Sequence, residues 1–238
     1  MDKKSIGLTK SYINVNGSFG GNQGWFASDK SNSTWKERAI NGYGCGLVGA
    51  ADVLLYILGN AAIPAGTTLN KREDYMAYLN RLEKKYFHIF PKLGLSGILL
   101  SLGLNLYFLI HRRQIKKETG CTYRARWAVR PSKLLDRIKE MLGNDIPVII
   151  SIGPGFFRKQ KVKFYNCEEK DGKLKFKPVT QTKDHYVTIT GILETENVTM
   201  LEISSWGKKY YVNWEEYKRY VRKYDNYYFS NILYIKKK

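Results

Sequence analysis

The stretch NGYGCGLVGAADVLLYILGN, residues 41–60, decides how this chain is read. Between Cys45 and Leu58, the apolar residues Leu47, Val48, Ala51, Val53, Leu54, Leu55, Ile57 and Leu58 fall on nearly every side of a helix. Such a helix has no face to give to water, so the pattern predicts a central, buried one. Gly59-Asn60 ends it. Its first residue is a cysteine set between Gly44 and Gly46. The first turn of a helix carries free N–H groups and partial positive charge. A thiolate is stabilised there, which lowers the thiol pKa. The same N–H groups stabilise an oxyanion on a carbonyl under attack. Small neighbours such as Gly44 let a substrate backbone approach. Cysteine is also a common core residue, but this position favours Cys45 as a nucleophile. Asp52, two turns on along the same face, reads as a hydrogen-bonded buried polar residue and not as a catalyst.

A cysteine nucleophile needs a base, usually a histidine distant in sequence. There are three. His88 follows Phe87 on an amphipathic helix and reads as packing or surface. His111 sits in His111-Arg112-Arg113, whose charges disfavour an imidazolium. His185 opens the run Tyr186-Val187-Thr188-Ile189-Thr190, a strand that would hold the ring rigidly at a sheet end. His185 is therefore the expected base. Its other nitrogen needs an orienting acceptor, and Leu201-Glu202-Ile203-Ser204-Ser205-Trp206-Gly207 lies on the strand expected beside it. Cys121 and Cys167 have no partner motif, and the three cysteines fit neither a zinc site nor a disulfide framework. No metal or cofactor is implied.

Working outward, residues 1–40 read as irregular, rich in Gly, Ser, Asn and Trp, with Gly20-Gly21 and Gly24-Trp25 as turn signals. Residues 71–87 form an amphipathic helix. Leu93–Ile110 is an uncharged apolar run, expected to be a buried helix from Ile98 to Leu102 and then a strand after a turn at Gly103, rather than a membrane span. Pro131-Ser132 opens a helix over Lys133–Leu142. Beyond Gly143 the period changes. Pro147–Ile152, Val162–Tyr165, Leu174–Phe176, Tyr186–Ile192, Thr199–Ile203 and Tyr227–Ile235 read as strands, with a hairpin turn at Asp171-Gly172 and a short helix over Trp214–Val221. The expected class is α+β in one domain, a helical half over residues 1–145 and a β-rich half over 146–238.

The chain of 238 residues is 43% hydrophobic and 14% aromatic, enough to fold and too apolar for a disordered tail. Its 40 Lys and Arg against 21 Asp and Glu give a net charge of +19. That charge favours an anionic surface or polymer as a partner and says nothing of the fold. No nucleic-acid motif appears, so no specific nucleic acid is expected. The oligomeric state is not readable. The N-terminus lacks the apolar run of a signal peptide. The chain thus reads as cytoplasmic, or as secreted if a leader was removed.

The order of Cys45 on a helix, His185 on a strand, then Ser-Trp-Gly resembles papain-like cysteine peptidases, whose histidine is followed by Asn-Ser-Trp-Gly. The segment Gln23, Trp25, Gly44-Cys45-Gly46, Pro147-Val148 and His185-Tyr186-Val187 is similar to the bacterial branch related to double-glycine leader peptidases. The resemblance implies a papain-like fold, with a central helix starting at Cys45 and packed on a C-terminal antiparallel sheet. It implies a cysteine peptidase acting on a peptide or peptidoglycan-like substrate, by hydrolysis or by acyl transfer. It places Ser204 where the family has Asn, leaving the third role to Ser204, to Glu202 or to nothing. The family's oxyanion glutamine position holds Ala39, so that role falls to Gln23 or Asn41. Trp206 becomes a wall over the histidine beside the substrate. Two other readings stand beside the peptidase. One is a weak or inactive relative serving as a binding module for a peptide or anionic polymer. The other is a membrane-associated protein using Leu93–Ile110 with Arg112 and Arg113.

Overall fold

A computed structural model describes residues 4–27, 33–62, 69, 71–90, 92–154, 159–170 and 173–238. The first part of the chain contains β1 (Lys4–Gly7), β2 (Asn14–Val15), β3 (Ser18–Phe19) and a 3-10 turn at Gln23–Ala27. The helices α1 (Trp35–Tyr43), α2 (Cys45–Leu58), α3 (Arg72–Lys85), α4 (Gly97–Ile110) and α5 (Arg112–Thr119) follow. Then come β4 (Tyr123–Trp127), α6 (Leu134–Gly143), β5 (Val148–Ile152), β6 (Val162–Lys170) and β7 (Lys173–Thr182). The chain closes with β8 (His185–Glu194), β9 (Thr199–Ser205), β10 (Lys208–Asn213), α7 (Trp214–Tyr224) and β11 (Ile232–Lys237).

The class is α+β: helices and an antiparallel sheet of nine strands, ordered β4-β11-β5-β8-β9-β10-β6-β7 with β1 added on β8. One edge of β8 is shared. Its first half pairs β5, from Ile152 opposite His185 to Val148 opposite Ile189, and its second half pairs β1. The sheet therefore recruits β1 and β4 from the half expected to be helical. Helix α2 packs on β8 and β5. Its small residues make this close approach possible: Gly46 faces the Tyr186 ring, and Gly49 faces Ile149 and Thr188. Leu47, Leu54 and Ala51 are fully buried beneath it. Each leucine so removed from water contributes about 1.5–3 kcal/mol.

Four of the differences from the sequence expectation have a local cause in the structure. The segment before Tyr43 is not irregular: Thr34 and Glu37 form a reciprocal capping box that starts α1. The run Leu93–Ile110 does not turn at Gly103. Helix α4 continues to Ile110, and Gly103 is there because a Cβ would lie 2.6 Å from the Phe87 ring. Strand β4 lies where no strand was expected, its outer backbone taken by Asn105, which accepts from the Ala125 N–H at 2.9 Å and donates to its carbonyl at 3.0 Å. The last strand begins at Ile232 rather than Tyr227, because Asn226 starts a turn by accepting from the Tyr228 and Phe229 N–H groups. The turn residues Asp171-Gly172 lie outside the described residues. No single described helix is long and apolar enough to cross a membrane.

Candidate functional site

The kink between α1 and α2 places Cys45. Gly44 closes α1 by donating its N–H to the Ile40 carbonyl at 2.8 Å, and its own carbonyl accepts from Val48 as α2 begins. Cys45 is thus the first residue of α2, half-buried, with the free N–H groups of the helix start around it. Gly44 itself is buried and is not among the residues around the cavity beside Cys45. A Cβ there would meet the Ile40 carbonyl at 2.4 Å. Its smallness serves the helix junction.

His185 is the first residue of β8 and is buried. Asp184 before it adopts a left-handed backbone and donates to the Gly153 carbonyl at 3.2 Å, which turns the chain into the strand. The imidazole stacks on Trp206, ring centres 4.6 Å apart and planes 20° from parallel. Its Nε2 lies 2.8 Å from the Ser205 hydroxyl. Ser205, Trp206, Gly207 and Lys208 form a two-residue hairpin between β9 and β10, with Ser205 opposite Lys208. The type I′ form of such a hairpin needs positive φ at both central positions, and here φ is 51° at Trp206 and 72° at Gly207. A tryptophan held in that region costs roughly 1–2 kcal/mol. This geometry carries its ring over the histidine.

Ser204 was expected to orient His185, and the structure corrects this. Its hydroxyl donates to the Phe19 carbonyl at 2.8 Å. Successive strand residues point to opposite faces, so the two adjacent serines serve different partners, and the hydroxyl on the histidine is that of Ser205. Glu202 accepts from Thr190, Lys209 and Tyr211 on the sheet surface. No contact joins it to the histidine among the described residues.

Cys45, His185, Ser204, Ser205 and Trp206 line one small cavity together with Gln23, Gly21 and Asp52. Its volume of about 20 Å³ leaves room for roughly one water. Gln23 lies in the 3-10 turn, and its Nε2 donates to the Asn41 backbone carbonyl at 2.8 Å. A side-chain amide has two N–H donors, so one remains. The Asn41 side chain is not among the cavity's walls. Asn41 instead contributes the carbonyl that fixes the Gln23 amide.

The Gln23 turn is tied down from below. Asp52 is 1% exposed. Its carboxylate accepts from the Gly21 N–H at 3.0 Å, from Tyr75 at 2.6 Å and from Tyr12 at 3.2 Å. It is a hydrogen-bonded buried residue on the helix that bears Cys45. Gly20 and Gly21 make the approach possible: Gly20 has φ of 78° with a Cβ that would meet Ser204 and Asp52, and a Cβ on Gly21 would lie 2.1 Å from the Tyr75 hydroxyl.

The electrostatics depart from expectation. Burial pushes the Cys45 thiol up, while the N–H groups of Tyr186, Gly46 and Cys45 itself pull it partly back and the charge of Asp184 adds to the rise. The helix start acts in the expected direction, but desolvation outweighs it. Burial lowers His185 from the usual 6.5 to about 4. Thiol and imidazole are both neutral at rest. Burial also raises Asp52 to about 6, against the pull of Tyr75, Gly21 and Tyr12.

The other histidines lie elsewhere. His88 is exposed, and His111 meets the Tyr86 hydroxyl at 2.8 Å. The three cysteines are thiols, each half-buried. Among the described residues, no group of three or more His, Cys, Asp or Glu side chains is arranged to hold a metal. Ser205, Gly21 and Tyr75 escaped the sequence reading. Gly20-Gly21 was the one available signal, and it was legible only as a turn. No family model, curated protein or solved structure matches the chain.

Proposed function

We propose that this chain is a papain-like thiol hydrolase, a cysteine peptidase acting on a peptide or amide bond. One observation carries the reading: Cys45 and His185, remote in sequence, line the same cavity as Gln23, with Cys45 at the start of α2. His185 takes the Cys45 proton, and the sulfur attacks the carbonyl carbon. The tetrahedral oxyanion receives the Cys45 backbone N–H and the remaining Gln23 Nε2 hydrogen. His185 returns the proton to the leaving amine, then deprotonates the water that cleaves the thioester. Ser205 orients the imidazole through Nε2, and Trp206 holds its plane.

The neutral resting pair favours a second reading, a catalytically weak relative that binds a peptide without turning it over. A general base works best with a pKa near the working pH, and His185 sits well below it. A hydroxyl on Nε2 gives an imidazolium no full negative charge. Turnover of a fluorogenic peptide library by wild type and by Cys45→Ala tests the proposal. Hydrolysis that falls at least a hundredfold in Cys45→Ala supports it. Equal hydrolysis by both proteins overturns it. Peptide capture by both proteins without hydrolysis overturns it in favour of the binding module.

A further inference from the structure

Eight of the thirteen exposed large apolar side chains among the described residues fall between Phe90 and Ile110. Six of them, Ile98, Leu99, Leu102, Leu106, Leu109 and Ile110, are on α4. At 100° per residue they occupy one continuous stripe along the helix. Leu102 is 58% exposed and Leu109 67%. Phe90 and Leu93 extend the patch from the turn before α4. The stripe is not the outside of a loosely held helix. The inner face is fixed by Gly97 beneath the Trp127 ring and by Gly103 against Phe87. Asn105, at the stripe's border, is bonded to β4 on both sides of Ala125.

The surroundings of the stripe are predominantly basic. Helix α5 begins one residue after α4 ends and exposes Arg112, Arg113, Lys116 and Lys117. None of the four is in an ion pair among the described residues. From Lys84 to Leu135 the sequence has a single acid, Glu118.

We propose that this face docks on an anionic lipid surface, with the α4 stripe entering the headgroup boundary and the basic side chains of α5 meeting the headgroups. Contiguous exposed apolar surface marks an interaction site, and charge selects the occupant. A second copy of this chain would bring a second cationic rim against the first, whereas anionic headgroups neutralise it. The helix lies on the membrane and does not cross it. Fourteen residues span about 21 Å, short of a hydrocarbon core of about 30 Å.

Co-sedimentation with vesicles of phosphatidylcholine, with and without a third phosphatidylglycerol, tests the assignment. Wild type is expected to bind the anionic vesicles at least tenfold more tightly than the neutral ones. Leu102→Glu with Leu106→Glu, and separately Arg112→Glu with Arg113→Glu, are each expected to weaken that binding at least tenfold. The second pair leaves α4 untouched, so it carries the test even if the first pair disturbs folding. Equal binding to neutral and anionic vesicles overturns the proposal, as does undiminished binding by the arginine variant. Absence of vesicle binding, with a dimer in analytical ultracentrifugation that Leu102→Glu and Leu106→Glu dissolve, assigns the face to a second copy and overturns it too.

Discussion

The Nε2 of His185 lies 2.8 Å from the hydroxyl of Ser205, while Ser204, one residue earlier, gives its hydroxyl to the Phe19 carbonyl. Two adjacent serines are thus divided between the candidate base and the segment that leads to Gln23. The division follows from strand geometry, since neighbouring side chains leave opposite faces of β9.

Substituting the two serines separates their effects. Ser205→Ala frees the imidazole without touching the Phe19 anchor. It is expected to lower kcat about tenfold, or about 1.4 kcal/mol, with KM little changed. Ser204→Ala leaves the Phe19 carbonyl without its donor and is expected to cost about 1–3 kcal/mol of stability, with the kcat of the folded protein close to wild type. Steady-state kinetics and urea unfolding on the same preparations check both outcomes.

Acid should expose a balance between His185 and Asp52. His185 has a folded pKa of about 4 against 6.5. The unfolded state therefore binds the extra proton, and stability is lost as pH falls from 6.5 to 4. Asp52 has a folded pKa of about 6 against 3.8. The folded state binds the extra proton, so its contribution is fully present below 3.8 and is lost as pH rises through 6. Each effect is about 3 kcal/mol at 1.36 kcal/mol per unit, and they oppose one another over the same window. Asp52→Asn removes one arm. Between pH 7 and 4 it is expected to lose about 3 kcal/mol more unfolding free energy than wild type. His185→Gln is expected to shift the balance the other way. Urea midpoints at the two pH values decide the matter, and parallel curves for all three proteins would count against it.

The thiol itself titrates high. Since burial raises Cys45, its rate of alkylation by iodoacetamide is expected to rise with pH to a midpoint above that of free cysteine. His185→Ala should leave that midpoint in place, because the resting imidazole is neutral. Peptide mapping by mass spectrometry separates Cys45 from Cys121 and Cys167. A midpoint well below that of free cysteine would show a thiolate–imidazolium pair at rest and contradict the burial argument.

Much of this architecture could be read from the chain because it rests on local pattern. An all-apolar run after Gly44-Cys45-Gly46 specified α2, and the β-branched runs around Pro147 and after His185 specified β5 and β8. What escaped was set by contacts between distant parts. Strand β4 has no strong pattern of its own and is held by the side chain of Asn105. Gly103 resembled a turn because Phe87, which fills the space beside it, is not adjacent in sequence. The choice between Ser204 and Ser205 required the register of β9. The rise in the Cys45 pKa required knowing how far the helix start is buried, whereas the helix dipole alone suggested a fall.

The amides are the last pair to separate. Gln23 lines the cavity beside Cys45, and its Nε2 is braced by the Asn41 backbone carbonyl rather than by the Asn41 side chain. Removing one oxyanion donor typically lowers kcat about a hundredfold or more. Gln23→Ala is therefore expected to lose about that factor in kcat, with substrate binding nearly retained, because the donor acts on charge that appears only during attack. Asn41→Ala keeps the backbone carbonyl and is expected to stay within about twofold of wild type. Asp52→Asn should fall between them at neutral pH, since it loosens Gly21 and thereby the Gln23 turn without removing the amide. Single-turnover rates of acylation compare the three directly. If Asn41→Ala proved the most damaging, the donor would be the Asn41 side chain, and Gln23 would be no more than the wall of the cavity.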